Sequence, residues 1–127
     1  MARVTQYETD DGRVPFEKWF LTLGAKAAAK VTTAVTQMGE GNFGDGKSVG
    51  GGVWERRIHF EKGYRLYFAT DGDELIVLFC GGTKSRQQDN IDEAKRYWKD
   101  YKVRKRKEKT DQEAQAKPRQ RKKSRSK

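Results

Sequence analysis

Thiols and imidazoles are nearly missing from this chain, which has one cysteine, Cys80, and one histidine, His59, in 127 residues. A single thiol forms no internal disulfide, and one Cys with one His does not make a zinc set, so neither metal nor cofactor is expected. Long apolar runs are missing too. The longest, Leu75–Cys80, has six residues, against the ~18 a membrane span needs. Met1-Ala2-Arg3-Val4 lacks the apolar segment of a secretory signal. The expectation is a small cytoplasmic protein that makes no membrane contact.

Net charge is absent from most of the chain. The total is 28 Lys and Arg against 18 Asp and Glu, or +10, but 13 of the cations and only 3 of the acids lie in residues 102–127. Residues 1–101 are left with 15 of each. The chain is an electroneutral body of about 100 residues, enough for one core, followed by a cationic tail, an asymmetry typical of a nucleic-acid arm. Beyond Tyr101 the only apolar side chains are Val103, Ala114 and Ala116. A helix is expected to fade by Lys107 and the rest to be disordered, because nothing there offsets the entropy of docking.

Within the body, Arg3–Glu8 alternates like a short strand. Pro15 suits the first position of a helix, and Phe16, Trp19, Phe20 and Leu23 form one apolar stripe that should end at Gly24. A second helix carries Ala27, Ala28, Val31, Ala34, Val35 and Met38 on one side, and the short link predicts a helical hairpin. Seven glycines in residues 39–52 read as loop. Val53–Phe60, Tyr64–Thr70 and Glu74–Gly81 read as an antiparallel meander with hairpin-length connections, the last strand central because it is apolar on both faces. Asp89 is placed to cap a final helix with Ile91, Ala94, Trp98 and Tyr101 on its buried side. The predicted fold is α+β, an N-terminal strand and helical hairpin packed on an antiparallel β-meander with a C-terminal helix, the helices covering one face.

Alternation along the meander separates two faces. Trp54, Ile58, Phe60, Tyr64, Leu66 and Phe68 fall on the side expected to meet the helices. Arg56 also falls there and is expected to lie near an edge, its charged end reaching solvent. Glu55, Arg57, His59, Arg65 and Tyr67 fall on the other, with Lys84 and Arg86 just beyond the last strand. Several cations, an imidazole and a phenol on an open sheet face suit an RNA phosphate. Cleavage needs the 2′-OH deprotonated, charge on the pentavalent phosphorus stabilised and the 5′-oxygen protonated. Arginine is too basic to exchange protons but matches phosphate oxygens with its planar fork. As a histidine, His59 is a residue type suited to acid or base work, and is equally consistent with a structural or exposed role. Lys84 could serve only if neighbouring cations lowered its pKa. Tyr64 and Tyr67 could stack on bases or simply pack. Cys80 reads as a small buried hydrophobe. The glycine-rich stretch lacks Gly-x-x-x-x-Gly-Lys-Ser/Thr and reads as a connector.

Three segments carry a family resemblance: Gly41-Asn42-Phe43-Gly44-Asp45-Gly46-Lys47, then Val49-Gly50-Gly51-Gly52-Val53-Trp54-Glu55-Arg56-Arg57-Ile58-His59, then Gly63-Tyr64-Arg65-Leu66-Tyr67-Phe68. With Pro15–Phe20, Leu78–Ser85 and Asp89–Ala94 they resemble the RelE/ParE superfamily, nearest its HigB-like addiction module killer proteins, over roughly residues 3–101. The resemblance implies a type II toxin domain at 1–101 with a basic tail at 102–127, and a cognate antitoxin as partner. It implies a metal-independent endoribonuclease that cuts mRNA on the ribosome; a ParE-like, non-enzymatic gyrase inhibitor and an inactive relative that binds nucleic acid through its tail are the alternatives. By motif position Arg65 matches the arginine that holds the scissile phosphate, Arg57 a cationic strand residue, and Lys84 the basic position after the last strand. Arg57, Arg65, Lys84 and His59 are the candidate catalytic residues, and Tyr64, Tyr67, Arg86 and Lys47 the candidate RNA contacts. Asn90 stands near where RelE has a catalytic tyrosine. The tail lies outside the common pattern, and reads either as a solvated extension or as a counterion-releasing arm for nucleic acid.

Overall fold

A computed structural model describes residues 2–125, with side chains described to residue 114. In chain order the elements are β1 (Arg3–Gln6), α1 (Pro15–Phe20), α2 (Ala25–Gly39), β2 (Asp45–Gly50), β3 (Val53–Ile58), β4 (Tyr64–Asp71), β5 (Leu75–Thr83) and α3 (Gln87–Arg125), the last entered through a 3-10 turn at Lys84–Arg86. They form one five-stranded sheet, ordered β1-β5-β4-β3-β2, antiparallel except for the parallel β1–β5 pair. The α+β architecture with its C-terminal helix is the predicted one and is consistent with a RelE-like fold.

Helices cover both faces of the sheet, not one. On the first face Phe16 of α1 and Ala27, Val31, Ala34 and Met38 of α2 bury Ile58, Tyr64, Leu66, Phe68, Ile76 and Leu78. On the second, α3 brings Ile91, Ala94, Tyr97, Trp98 and Tyr101 onto Tyr7, Val53, Tyr67, Ala69, Val77, Phe79 and Cys80. The apolar residues of β5 therefore face two cores, which explains a strand hydrophobic throughout its length. A bulge helps to serve both. Tyr67 pairs with Cys80 and Phe68 with Leu78, leaving Phe79 as the extra residue, so Phe79 and Cys80 both enter the second core.

The glycines that follow set how closely the layers approach. A Cβ on Gly81 would lie 2.3 Å from the Trp19 ring of α1, and one on Gly82 would lie 2.1 Å from Asn90 Oδ1 of α3. Two helices thus close on β5 from opposite sides where it has no side chains.

Four local expectations change. The glycine-rich stretch contains an edge strand, β2, whose pairing with β3 (Lys47 with Glu55, Asp45 with Arg57) rests on backbone hydrogen bonds and needs no apolar alternation. The first helix stops at Phe20, and Gly24 starts the second. The last helix begins at Gln87, which puts Asp89 in its first turn instead of at the cap. Its backbone is helical to Arg125, past Lys107, by which the helix was expected to fade. Strong helix formers (Lys, Arg, Glu, Gln, Ala) dominate that extension, although Pro118 removes one ladder donor. Residues 126–127 lie outside the described residues.

Where α3 leaves the sheet it is tied down by two polar clasps. Tyr7 donates to Asp100 Oδ2 at 2.5 Å, and Arg104 Nη2 pairs with the same oxygen at 2.7 Å. Tyr101 donates to Asp71 Oδ2 at 2.7 Å, and Lys105 pairs with that carboxylate too. Burial, then the neighbouring carboxylate, push both phenols up to about 12.

The Gly81→Ala substitution tests the close approach. It should cost ~1–3 kcal/mol as overpacking, read as a lower urea midpoint with an unchanged slope. Gly24→Ala, which meets nothing within 4 Å and has no positive φ, should leave the midpoint nearly in place.

Candidate phosphate-binding site

The register of β3 and β4 sets Arg57 directly opposite Arg65, and Glu55 opposite Tyr67. Two cations across a strand pair repel, so this arrangement needs a counter-charge. Glu55 supplies it. Its side chain is completely buried and faces Arg57 Nε at 3.4 Å through one oxygen and Arg65 Nε at 3.7 Å through the other. Tyr67 Oη donates to Oε2 at 2.9 Å, and Gln87 Nε2, from the first turn of α3, donates to the same oxygen at 2.8 Å. Lys47 Nζ on β2 stands 4.0 Å from Oε1.

Burial alone would raise the Glu55 pKa, but the hydrogen bonds from Gln87, Tyr67 and Arg57 and the charge of Arg65 outweigh it and hold the carboxyl below its ordinary value. The Tyr67 phenol is driven strongly upward by burial and by the same carboxylate, so it stays protonated and acts as a donor. Around one negative charge stand three positive ones, which leaves a local excess of cation on the side of the sheet that α3 only partly covers.

The arginines are presented unevenly. The Arg57 side chain is about a third exposed (35%), whereas that of Arg65 keeps 11% of its surface open. Arg65 Nε is buried with no hydrogen-bond partner, and among the described residues the terminal nitrogens of both guanidiniums donate to no protein group. Those are the donors an anion would take.

The other candidates lie around or away from this pair. His59 is exposed at the rim, with Nε2 2.7 Å from Asp45 Oδ2; the bond to His59 is the main cause that lowers the Asp45 pKa. Lys84 and Arg86 are exposed on the 3-10 turn, and Arg86 pairs with Asp89 at 3.8 Å. Lys47 is half exposed. The two tyrosines do not offer a ring to a base. Tyr67 is fully buried beneath Glu55, and Tyr64 points to the first core, against Trp19 and Phe60. Arg56 does not reach solvent at an edge. It is buried and donates to Gln37 Oε1 at 2.9 Å and to the Asn42 carbonyl at 3.3 Å, tying α2 to the glycine-rich loop. Gly44, at φ +53°, has no room for a Cβ beside that guanidinium, which stands 2.6 Å from the Cβ position. Asn90 is buried against Gly82.

Two residues of the site were not singled out from the sequence, Glu55 and Gln87. An acid alternating with cations in an otherwise apolar strand was the available signal for Glu55. Gln87 had none, because only the helix start at that position brings it to Glu55. Among the described residues no three His, Cys, Asp or Glu side chains come together as a metal set, and no helix is long and apolar enough to cross a membrane.

Residues 18–99 match the family model described as "Phage derived protein Gp49-like (DUF891)". A Haemophilus influenzae protein described as an uncharacterized protein is 41% identical over 81 residues, 63% of this chain and 82% of that relative.

Replacing Glu55 by Gln removes the charge and keeps the shape. It should cost ~3–5 kcal/mol at neutral pH, as expected when one partner leaves a buried ionic cluster. Because the folded-state pKa is lowered, Glu55 stabilises fully above its unfolded value, near 4.5, and the gain is lost as pH falls through the folded value. The gap between wild type and Glu55→Gln in urea unfolding should therefore narrow steadily below about that pH.

Proposed function

We propose that this chain, which belongs to the Gp49-like phage-derived protein family, a RelE/ParE-like toxin family of addiction modules, is the toxin of a type II pair and cuts mRNA on the ribosome in the cytoplasm. A toxin of an addiction module implies an antitoxin partner. The observation that carries the ribonuclease reading is the pair of guanidiniums facing each other across β3 and β4, joined through one buried carboxylate, with their terminal nitrogens free of protein partners among the described residues.

In this reading Arg57 and Arg65 grip the scissile phosphate and stabilise charge as the phosphorus becomes pentavalent. Glu55 positions them and touches no substrate. His59 takes the proton of the 2′-OH, whose oxygen bonds to phosphorus as the P–O5′ bond breaks, and the 5′-oxygen takes up a proton from water, leaving a 2′,3′-cyclic phosphate. As the one imidazole of the chain, His59 is assigned the acceptor step. With Nε2–H donating to Asp45, Nδ1 is left to accept a proton. Lys84 and Lys47 add positive charge at the rim, and Arg86 extends it further out. Tyr64 and Tyr67 drop out of the RNA contacts because they are buried.

The test is 5′-end mapping of cellular RNA shortly after induction. Wild type should generate new 5′ ends within translated mRNA. Arg65→Ala should fold and lose at least ~10²-fold of the cleavage, the scale for removing one charge-stabilising donor. Arg65→Lys should recover only part, since it keeps the charge and loses the fork. Cleavage undiminished in folded Arg65→Ala, or DNA damage with mRNA intact, would overturn the reading, the latter in favour of gyrase inhibition.

A further inference from the structure

Beyond the arginine pair, α3 carries a second arrangement of positive charge. Lys95, Lys99, Lys102, Arg106 and Lys109 recur at spacings of 4, 3, 4 and 3 residues, which at 3.6 residues per turn confines them to an arc of about 80° and a line of about 21 Å along the helix. Four are exposed and Lys95 is half-buried. Among the described residues none of the five is in an ion pair, whereas Arg104 and Lys105, off the line, are taken up by Asp100 and Asp71. The same periodicity puts Asp100, Glu108 and Asp111 on the opposite side of the helix, while Glu113, one turn beyond Lys109, closes the line at its outer end.

The near end of the line is built against the body. The turn Gly50-Gly51-Gly52 has φ of +94°, +64° and +84° and lies flat under α3. A Cβ on Gly50 would be 3.3 Å from Lys95 Nζ, and one on Gly52 would be 2.7 Å from Trp98 Nε1. Lys102 lies over the Trp98 ring at 5.1 Å. A shallow depression lined by Gly51, Lys95, Trp98, Lys99, Lys102 and Arg106 follows this edge.

We propose that this face of α3 is a binding track for the phosphate backbone of RNA, separate from the arginine pair. Single positive charges about every 5 Å suit a polyanion whose charges repeat regularly along a strand. An interface with a folded protein needs a desolvated apolar centre, and among the described residues of α3 the one exposed large apolar side chain is Val103. The track starts on the folded body at Lys95 and Lys99 and runs outward through Lys102 and Arg106 to Lys109, at the start of the basic extension. It requires RNA to be bound, not cut, and so stands or falls apart from the nuclease reading.

The experiment is the salt dependence of binding to a 2′-O-methyl single-stranded RNA, which cannot be cleaved by 2′-OH attack, using the full chain. In Lys95→Ala/Lys99→Ala/Lys102→Ala the slope of log K against log[salt] should shrink by about 2, at roughly 0.7 for each phosphate no longer neutralised. Alanine keeps the helix. Arg3→Ala/Lys18→Ala/Lys26→Ala removes the same charge from exposed positions elsewhere and should leave the slope nearly unchanged. Equal losses in the two triples would reduce the effect to net charge and overturn the proposal. So would wild-type binding without salt dependence, or poly-glutamate competing as well as RNA at equal charge, which would point to an acidic protein.

Discussion

A single buried carboxylate makes this sheet face possible. Without Glu55, β3 and β4 would hold two arginines directly opposite each other beside a third cation, a repulsive set on a partly desolvated surface. With it, each guanidinium has a counter-charge within 4 Å of its Nε, hydrogen-bonded in the case of Arg57, and keeps its outer nitrogens available. Hydrogen bonds from Gln87 of α3, from Tyr67 below and from Arg57, with the charge of Arg65, outweigh burial and keep the carboxylate ionised. The site is therefore a product of tertiary structure: two strands supply the charges, and a helix distant in sequence completes the shell.

The same helix explains the tight packing around β5. Gly81 and Gly82 admit Trp19 from one side and Asn90 from the other, which brings the start of α3 low enough for Gln87 to reach Glu55. Further along, the two tyrosine–carboxylate clasps fix α3 as it leaves the sheet. Packing at the glycines and charge organisation at the arginines are linked through one element, so damage to the former is felt at the latter.

Much of this was legible in the residues. Strand alternation placed Arg57, His59, Arg65 and Tyr67 together on one face and Tyr64, Leu66 and Phe68 on the other, because period-two patterning survives wherever one side is buried. It failed where backbone pairing acts alone, as in the glycine-rich edge strand β2, and where an element lying across the sheet decides exposure. Residues assigned to an open face included Tyr67, which α3 covers completely. Arg56 broke the pattern for a reason invisible locally: its partners, Gln37 and the Asn42 carbonyl, lie on a helix and a loop well before it in the chain. Glu55 was placed on the right face, yet its significance emerges only when the donors around it are seen to converge.

The central claim is that Arg57 and Arg65 form one anion site organised by Glu55. The most direct measurement is the titration of inorganic phosphate into the full chain while following the guanidinium Nε–H resonances of both arginines by NMR. The account predicts that the two move together on a single isotherm, and that in Glu55→Gln the joint response weakens or splits into two. Movement of only one resonance, independent isotherms in the wild type, or an unchanged joint response in Glu55→Gln would contradict it.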